Sequence, residues 1–246
     1  MSIKAIVFDA YGTLYDVHSV AAITEETFPG YGDIITQIWR IKQLEYSWLR
    51  SLMRRYRDFH AITRDSLAYT LRVLGLTYDD AAFARIVDKY LHLDLYPEAM
   101  TALQAIKDRK LAILSNGSSD MLNTLVRNTG LADVLDATIS VDVKRTFKPD
   151  PDVYSLIETT LDLPPAAVLF VSSNPWDACG AKAFGLNVAW IERVSAESVA
   201  LACVDSETVA PLTMYKALRT QMDELGYEPD HRIRSLLDLP RIAAAA

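Results

Sequence analysis

The stretch Ile3-Lys4-Ala5-Ile6-Val7-Phe8-Asp9-Ala10-Tyr11-Gly12-Thr13-Leu14 decides the fold. Ile3 to Phe8 is too apolar to alternate, which predicts a short strand buried on both faces of a parallel sheet. Asp9 follows at once, with a Gly-containing turn behind it. In open parallel sheets ligands bind in the crevice beyond the carboxyl ends of the strands. Asp9 therefore stands either at a site or simply at the end of a strand, and the rest of the chain has to decide which.

Strand signals recur only after Tyr96-Pro97. Lys110 to Leu114 is a second strand, ending in Ser115-Asn116-Gly117, and a helix from Ser119 to Asn128 closes at Gly130. Asp136 to Val141 is a third strand. Lys148-Pro149-Asp150-Pro151 then opens a helix, with Asp150 as N-cap and Pro151 in its first position. Ala167 to Val171 is a fourth strand, running into Ser172-Ser173-Asn174. Asn174 is the expected N-cap of a helix that starts at Pro175 and stops at Gly185, and Val188 to Ile191 is a fifth strand. Strands alternating with helices imply right-handed βαβ units.

Between Asp16 and Pro97 the pattern is helical throughout, with no strand expected. Ile34, Ile38, Ile41, Trp48, Leu49 and Leu52 recur at helical spacing. Two more helices are predicted over Arg64–Leu74 and Asp79–Leu91, with Gly75 as a C-cap. The fold class is thus α/β: a Rossmann-like core with a five- to six-stranded parallel sheet and an inserted all-helical cap subdomain. Residues 1–15 and 98–246 form the core, and residues 16–97 the cap. The tail after Arg193 is mixed, helical over Thr213–Gln221, and Ala243–Ala246 reads as a frayed end.

At 246 residues and 50% hydrophobic the chain can bury a substantial core. A net charge of −7 argues against nucleic-acid or anionic-membrane binding. No apolar run approaches the span of about 20 residues that a membrane helix needs. Asp9 also comes too early for a secretory signal. Cys179 and Cys203 lack CxxC spacing and are expected to be buried or inert thiols in a reducing cytoplasm. His18, His60, His92 and His231 have no HxxxH or triad context, and neither GxSxG nor GxGxxG is present. The histidines are taken as structural or exposed.

Three strand ends carry polar groups: Asp9, Ser115-Asn116, and Ser172-Ser173-Asn174 with Asp177 one turn on. Lys148 opens a fourth segment. A carboxylate beside a cation, hydroxyls and amides can perform nucleophilic catalysis, and strand-end hydroxyls and helix N-termini can hold an anion. Arg40 precedes Leu44 by one helical turn; an inward Arg40 needs an anion, whereas Arg50, Arg54, Arg55 and Arg57 read as a solvated cluster.

These four motifs, in this order, resemble the haloacid dehalogenase-like hydrolase superfamily: nucleophile Asp9, strand-end Ser115, Lys148, and the loop Ser172 to Asp177. The phosphatases of that superfamily carry a second Asp two residues after the nucleophile; here that position is Tyr11. No carboxylate precedes Asp177 in the fourth motif either, where Mg²⁺ would need a hard oxygen ligand. A leaving alkoxide needs a proton, whereas a halide does not. The departures thus favour the (S)-2-haloacid dehalogenases, which the chain also resembles in Trp39-Arg40, Gln43-Leu44-Glu45-Tyr46, Phe147-Lys148-Pro149, Tyr154 and Pro175-Trp176-Asp177.

That resemblance implies hydrolysis of short (S)-2-haloalkanoic acids to (R)-2-hydroxy acids and halide. Asp9 displaces the halide and forms an ester, which water then hydrolyses, without metal or cofactor. Thr13 orients Asp9. Ser115 and the N–H groups of Ala10, Tyr11 and Asn116 hold the substrate carboxylate. Arg40 and Asn116 receive the halide, and Tyr11, Leu44, Phe59 and Trp176 form an apolar wall. Lys148 is steadied by Tyr154 and Ser172. Asp177, with Asn174, serves the hydrolytic water or acts as the counter-ion of Lys148. The family pattern often has Gln after Arg40, where this chain has Ile41. A homodimer is implied as well. The alternatives are a Mg²⁺-dependent phosphatase of the same fold and a silent binding module.

Overall fold

Ala5–Phe8 (β1) is the centre of a six-stranded sheet in the computed structural model of the chain, which describes residues 2–204 and 210–245. All four side chains of β1 are fully buried, as a strand covered by helices on both faces requires. Its neighbours are Lys110–Ser115 (β4) and Val168–Ser172 (β6), with Phe8 level with Ile113 on one side and Val171 on the other. Ala137–Ser140 (β5) lies beyond β4, and Asn187–Ile191 (β7) and His231–Ile233 (β8) lie beyond β6. Every pairing is parallel, so the carboxyl ends of all six strands share one edge. The sixth strand is the short β8, which carries no apolar run to announce it in sequence.

The chain leaves β1 through the turn after Asp9, in which Gly12 adopts φ 89°. There Tyr15–Asp16 (β2) pairs antiparallel with Asp94–Leu95 (β3). This two-residue ribbon lies inside a region read as strand-free; it is too short to show periodicity, and pairing alone makes it a strand. Between its two strands run four α-helices: Ala21–Thr27 (α1), Gly32–Leu52 (α2), Phe59–Val73 (α3) and Asp80–Asp88 (α4). The helix predicted from Arg64 starts at Phe59, because Asp58 accepts the Ala61 N–H at 2.8 Å and caps it there. Gly75 sits at φ 67° just beyond α3, as a C-terminal glycine should.

The apolar stripe predicted for α2 is not its buried face. Ile41, Leu49 and Leu52 are exposed, whereas Ile35, Trp39, Arg40, Gln43 and Ser47 are buried. Periodicity marks a stripe without saying which side meets the core, and here a half-polar face faces inward.

Ala99–Ala105 (α5), Ser119–Asn128 (α6), Pro151–Leu161 (α7) and Pro175–Phe184 (α8) complete the crossovers. Asp150 caps α7 through the Asp152 N–H, with Pro151 in the first turn. After β7 come Ala196–Val204 (α9) and Pro211–Ala217 (α10), the latter shorter than the predicted Thr213–Gln221. The final helix, Leu239–Ala245 (α11), buries Ala243 and so replaces the expected frayed end; Ala246 lies outside the described residues. Cys179 and Cys203 are both free, Cys179 buried and Cys203 exposed. No helix among the described residues is long and apolar enough to cross a membrane.

Candidate active site

Asp9, one residue beyond β1, is almost fully buried, and its two carboxylate oxygens are held differently. Oδ1 accepts the Lys148 ammonium at 3.1 Å. Oδ2 accepts the Asn174 Nδ2 at 2.8 Å and the Thr13 hydroxyl at 3.2 Å. Thr13 comes from the turn after β1, Asn174 from the end of β6, and Lys148 from the loop before α7. The sheet order places β1 between β4 and β6, which is why residues so far apart in sequence converge on one carboxylate.

Lys148 is fully buried and also reaches Asp177 Oδ2 at 3.1 Å. Asp177, in the first turn of α8, takes the Ser172 hydroxyl on Oδ2 at 2.9 Å and the Tyr154 hydroxyl on Oδ1 at 2.7 Å. Tyr154 and Ser172 therefore steady Asp177 rather than Lys148, a correction to the expected wiring: the ammonium is already shared by two carboxylates. Burial raises the Asp177 carboxyl to about 6, against the opposing pull of Lys148. Burial, with Asp177 second, pushes the Tyr154 phenol far up, so it stays a donor.

Ser115 and Asn116 end β4 beside Asp9. The Ser115 hydroxyl accepts the Gly117 N–H at 3.2 Å, and Asn116 Oδ1 accepts the Lys148 N–H at 2.9 Å. Neither side chain bonds to Asp9. The N–H groups of Ala10, Tyr11 and Asn116 have no backbone partner among the described residues, so the fold does not consume them.

From α2, Arg40 enters the site as a buried side chain. Gln43 Oε1 accepts its guanidinium at 2.7 Å, and Gln43 Nε2 donates to Thr63 at 2.8 Å. The Tyr90 hydroxyl donates to the same Gln43 oxygen at 3.3 Å. The Arg40 Nε, the Tyr11 hydroxyl and the Trp176 indole N–H are buried and have no partner among the described residues. The unmet Arg40 Nε and Tyr11 hydroxyl, which line one cavity, suit an anionic ligand. Tyr11 packs on Phe59 with ring centroids 5.4 Å apart, and Phe59 on Phe147 at 6.3 Å. Leu44 is buried one turn after Arg40. Trp176 lies edge-on to Trp48 with ring centroids 5.5 Å apart. Ile41 is exposed, so it does not alter the site.

A cavity of about 200 Å³ borders the site through Tyr11, Arg40 and Ser173, with His18, Tyr215 and Arg219 also in its lining. Asp9, Lys148 and Asp177 are not in its lining, nor are Leu44, Phe59, Asn116 or Trp176. His18, taken as structural or exposed, faces this space, and burial lowers its imidazole below the usual range. Arg219 donates to Asn174 Oδ1 and, at 2.5 Å, to the Tyr215 hydroxyl. In sequence nothing separates Arg219 from a solvated arginine, and its i, i+4 spacing from Tyr215 is the single local cue.

A family model described as haloacid dehalogenase-like hydrolase matches residues 3–185. The (S)-2-haloacid dehalogenase of Xanthobacter autotrophicus is 55% identical over 240 residues, covering 98% of this chain and 94% of that protein. The solved structure of L-2-haloacid dehalogenase from the same organism matches with a TM-score of 0.94 at 54% identity, covering 99% of each chain. A second structure of it, with chloropropionic acid covalently bound, also matches at 0.94 and 54%, covering 98% of each. A buried aspartate on a central strand end, a lysine shared with a second aspartate and an inward arginine from a helical insertion are therefore found in a chain similar to these proteins along nearly its whole length. The chain belongs to the haloacid dehalogenase-like hydrolases and, within them, to the (S)-2-haloacid dehalogenases.

Proposed function

We propose that Asp9 attacks the α-carbon of a short (S)-2-haloalkanoic acid, expels halide with inversion and is regenerated by hydrolysis of the resulting ester, releasing an (R)-2-hydroxy acid. The observation that carries this reading is the environment of Asp9: a buried carboxylate held through both oxygens by Lys148, Asn174 and Thr13, with little water to compete for it. The matching structure with chloropropionic acid covalently bound supports a covalent route.

In the first step the Asp9 oxygen forms the new C–O bond as the C–X bond breaks, and the halide leaves with the bonding pair. Arg40 and Asn116 receive it; Arg40 keeps its charge at any working pH, and Gln43 holds its guanidinium in place. Ser115 and the unconsumed N–H groups of Ala10, Tyr11 and Asn116 hold the substrate carboxylate. Tyr11, Leu44, Phe59 and Trp176 wall the α-substituent. In the second step water attacks the Asp9 carbonyl carbon, Lys148 stabilises the charge that develops on its oxygen, and the acyl C–O bond breaks as the departing hydroxy-acid oxygen takes a proton from the attacking water; the second water proton is released to solvent and Asp9 is again a carboxylate. Asp177 acts as the counter-ion that holds Lys148, because both its oxygens are already engaged by Lys148, Ser172 and Tyr154.

The same reading makes residues 16–97 a cap that delivers Arg40 to a core of 1–15 and 98–246, with the β2–β3 ribbon where the chain leaves and returns. It makes the reaction independent of metal: Tyr11 takes the place of the acid that family phosphatases use, and the Lys148 ammonium lies 3.1 Å from each carboxylate of the site. It makes the protein a cytoplasmic homodimer, for which the exposed apolar side chains Ile41, Leu49 and Leu52 on one face of α2 provide support.

The test is halide release from each enantiomer of 2-chloropropionate in the presence of EDTA, beside phosphate release from a phosphate ester with Mg²⁺. Chloride from the (S) enantiomer alone, unaffected by EDTA, is expected. Phosphate release that needs Mg²⁺, without chloride, would overturn the reading. Single turnover in ¹⁸O-water should place the label in Asp9; label confined to the product would rule out the ester.

A further inference from the structure

Asn174 occupies the N-cap position of α8, yet its side chain makes no capping bond. Its amide is turned to two other partners instead. The Nδ2 donates to Asp9 Oδ2 at 2.8 Å and to the Tyr11 carbonyl at 3.3 Å, and the Oδ1 accepts from the guanidinium of Arg219. An ionised carboxylate can only accept hydrogen bonds, and a guanidinium can only donate them. An amide placed between the two has one admissible orientation. Reversed, it would set its oxygen against the Asp9 carboxylate and its NH₂ against the guanidinium, unfavourable at both ends.

Arg219 lies beyond the 3–185 stretch that the family model matches, just past the end of α10. It makes no ion pair with a carboxylate among the described residues; besides the amide, the Tyr215 hydroxyl and ring hold its guanidinium. We infer that Arg219 is a positioning residue for the nucleophile: it locks the Asn174 amide so that its N–H fixes Asp9 Oδ2 while Lys148 fixes Oδ1. The carboxylate is then restrained from rotating about its bond to Cβ, and the lone pair aimed at the α-carbon keeps its direction. A guanidinium on Oδ1 also polarises the amide, which strengthens the N–H···O bond on its other side. The inference rests on the reaction proposed for Asp9, and it extends that site with a residue from the segment that follows β7.

The test is a double-mutant cycle of Arg219→Met and Asn174→Ala, read as kcat and KM for chloride release from (S)-2-chloropropionate. Arg219→Met should lower kcat roughly tenfold to a hundredfold, the range for a lost hydrogen bond to a charged group. KM should stay within about twofold, since the bond lost does not touch substrate. The double variant should be no slower than Asn174→Ala alone, because both changes remove the same restraint. Arg219→Lys, which retains a donor for Oδ1, should recover most of kcat, whereas a merely structural role would give no such rescue. Additive losses, a rise confined to KM, or an unchanged Arg219→Met enzyme would each overturn the inference. If Arg219→Met does not fold, the cycle run with Arg219→Lys decides: a large loss additive with Asn174→Ala overturns it, and near-wild-type kcat supports it. Wild-type enzyme that releases no halide would instead sink the reaction on which the inference rests.

Discussion

At the scale of single residues the site is a chain of charges in which each neighbour fixes the next. Lys148 is fully buried between Asp9 and Asp177 and carries the only cation among the described residues that is paired with both. Lys148→Met would leave two buried carboxylates facing each other without it. Breaking a buried pair in this way costs about 3–5 kcal/mol, so the variant should lose activity and melt well below wild type. Thermal denaturation followed by circular dichroism checks the second effect separately from the first. Asp177 predicts two pH trends of opposite sign. Its carboxyl stands at about 6, above the ordinary 3.8, so the native state binds the proton more tightly than the unfolded chain. The stability it contributes is complete below about 3.8 and is lost as pH rises through about 6. Activity should move the other way, falling below about 6 as protonation removes the counter-ion of Lys148. Asp177→Asn should flatten the stability trend, as melting temperatures at pH 4, 5, 6 and 7 would show, and it should abolish the acid limb of kcat.

At the scale of elements, two helices matter beyond the groups they carry. In α8, a Cβ placed on Gly180 would lie 2.6 Å from both the Tyr154 hydroxyl and the Pro149 Cβ. Close approach of α8 to α7 therefore needs glycine at this point. Gly180→Ala must push Tyr154 off Asp177, and overpacking of this kind costs about 1–3 kcal/mol. A lower melting temperature with reduced kcat is expected, and Tyr154→Phe should reproduce part of the kinetic loss without the steric one. In α2, Gln43 links Arg40 to Thr63 on α3 and to Tyr90, so the arginine is aimed by a buried polar network. Gln43→Leu should slow halide release roughly tenfold while Arg40 itself remains, and pre-steady-state chloride release would detect it. A polar inward face also explains why the apolar stripe of α2 is turned outward. Asn174 shows the same trade at a helix end, since its side chain serves Asp9 instead of capping α8, at a cost of about 0.5–2 kcal/mol.

At the scale of the whole molecule, a chain of net charge −7 concentrates positive charge at one edge of its sheet. Arg40, held by the neutral Gln43 rather than by a carboxylate, is the charge that faces an anionic substrate there, while Lys148 lies between Asp9 and Asp177. The helical block is tied to the sheet at several points: Tyr56 donates to Asp142, Phe147 N–H to the Ser51 hydroxyl at 3.0 Å, and Asn128 Nδ2 to the Leu91 carbonyl at 2.9 Å. Rates should fall with ionic strength if the local field draws the substrate in. Sedimentation equilibrium should give twice the chain mass, and Leu52→Glu, at a side chain 80% exposed, should shift it toward the monomer if α2 forms the contact. A monomeric wild type would remove the dimer from the reading.

Much of this was legible in sequence because it depends on local physics. A short run such as Ala5–Phe8 with no polar alternation suits a doubly covered strand, which it forms, and polar residues directly after such a strand lie at its carboxyl end. Asp9 was therefore legible as a strand-end candidate, Lys148 and Asp177 joined it through the resemblance of their motifs, and the caps at Asp150 and Gly75 followed from local sequence. Tertiary structure decided what spacing cannot encode. It showed which face of α2 turns inward, that Ser172 and Tyr154 serve Asp177 rather than Lys148, and that two-residue strands close the helical insertion. It also brought Arg219 to Asn174, 45 residues away in sequence. Such pairings depend on where separate elements come to rest, and a hydrogen bond between distant side chains leaves no periodicity along the chain.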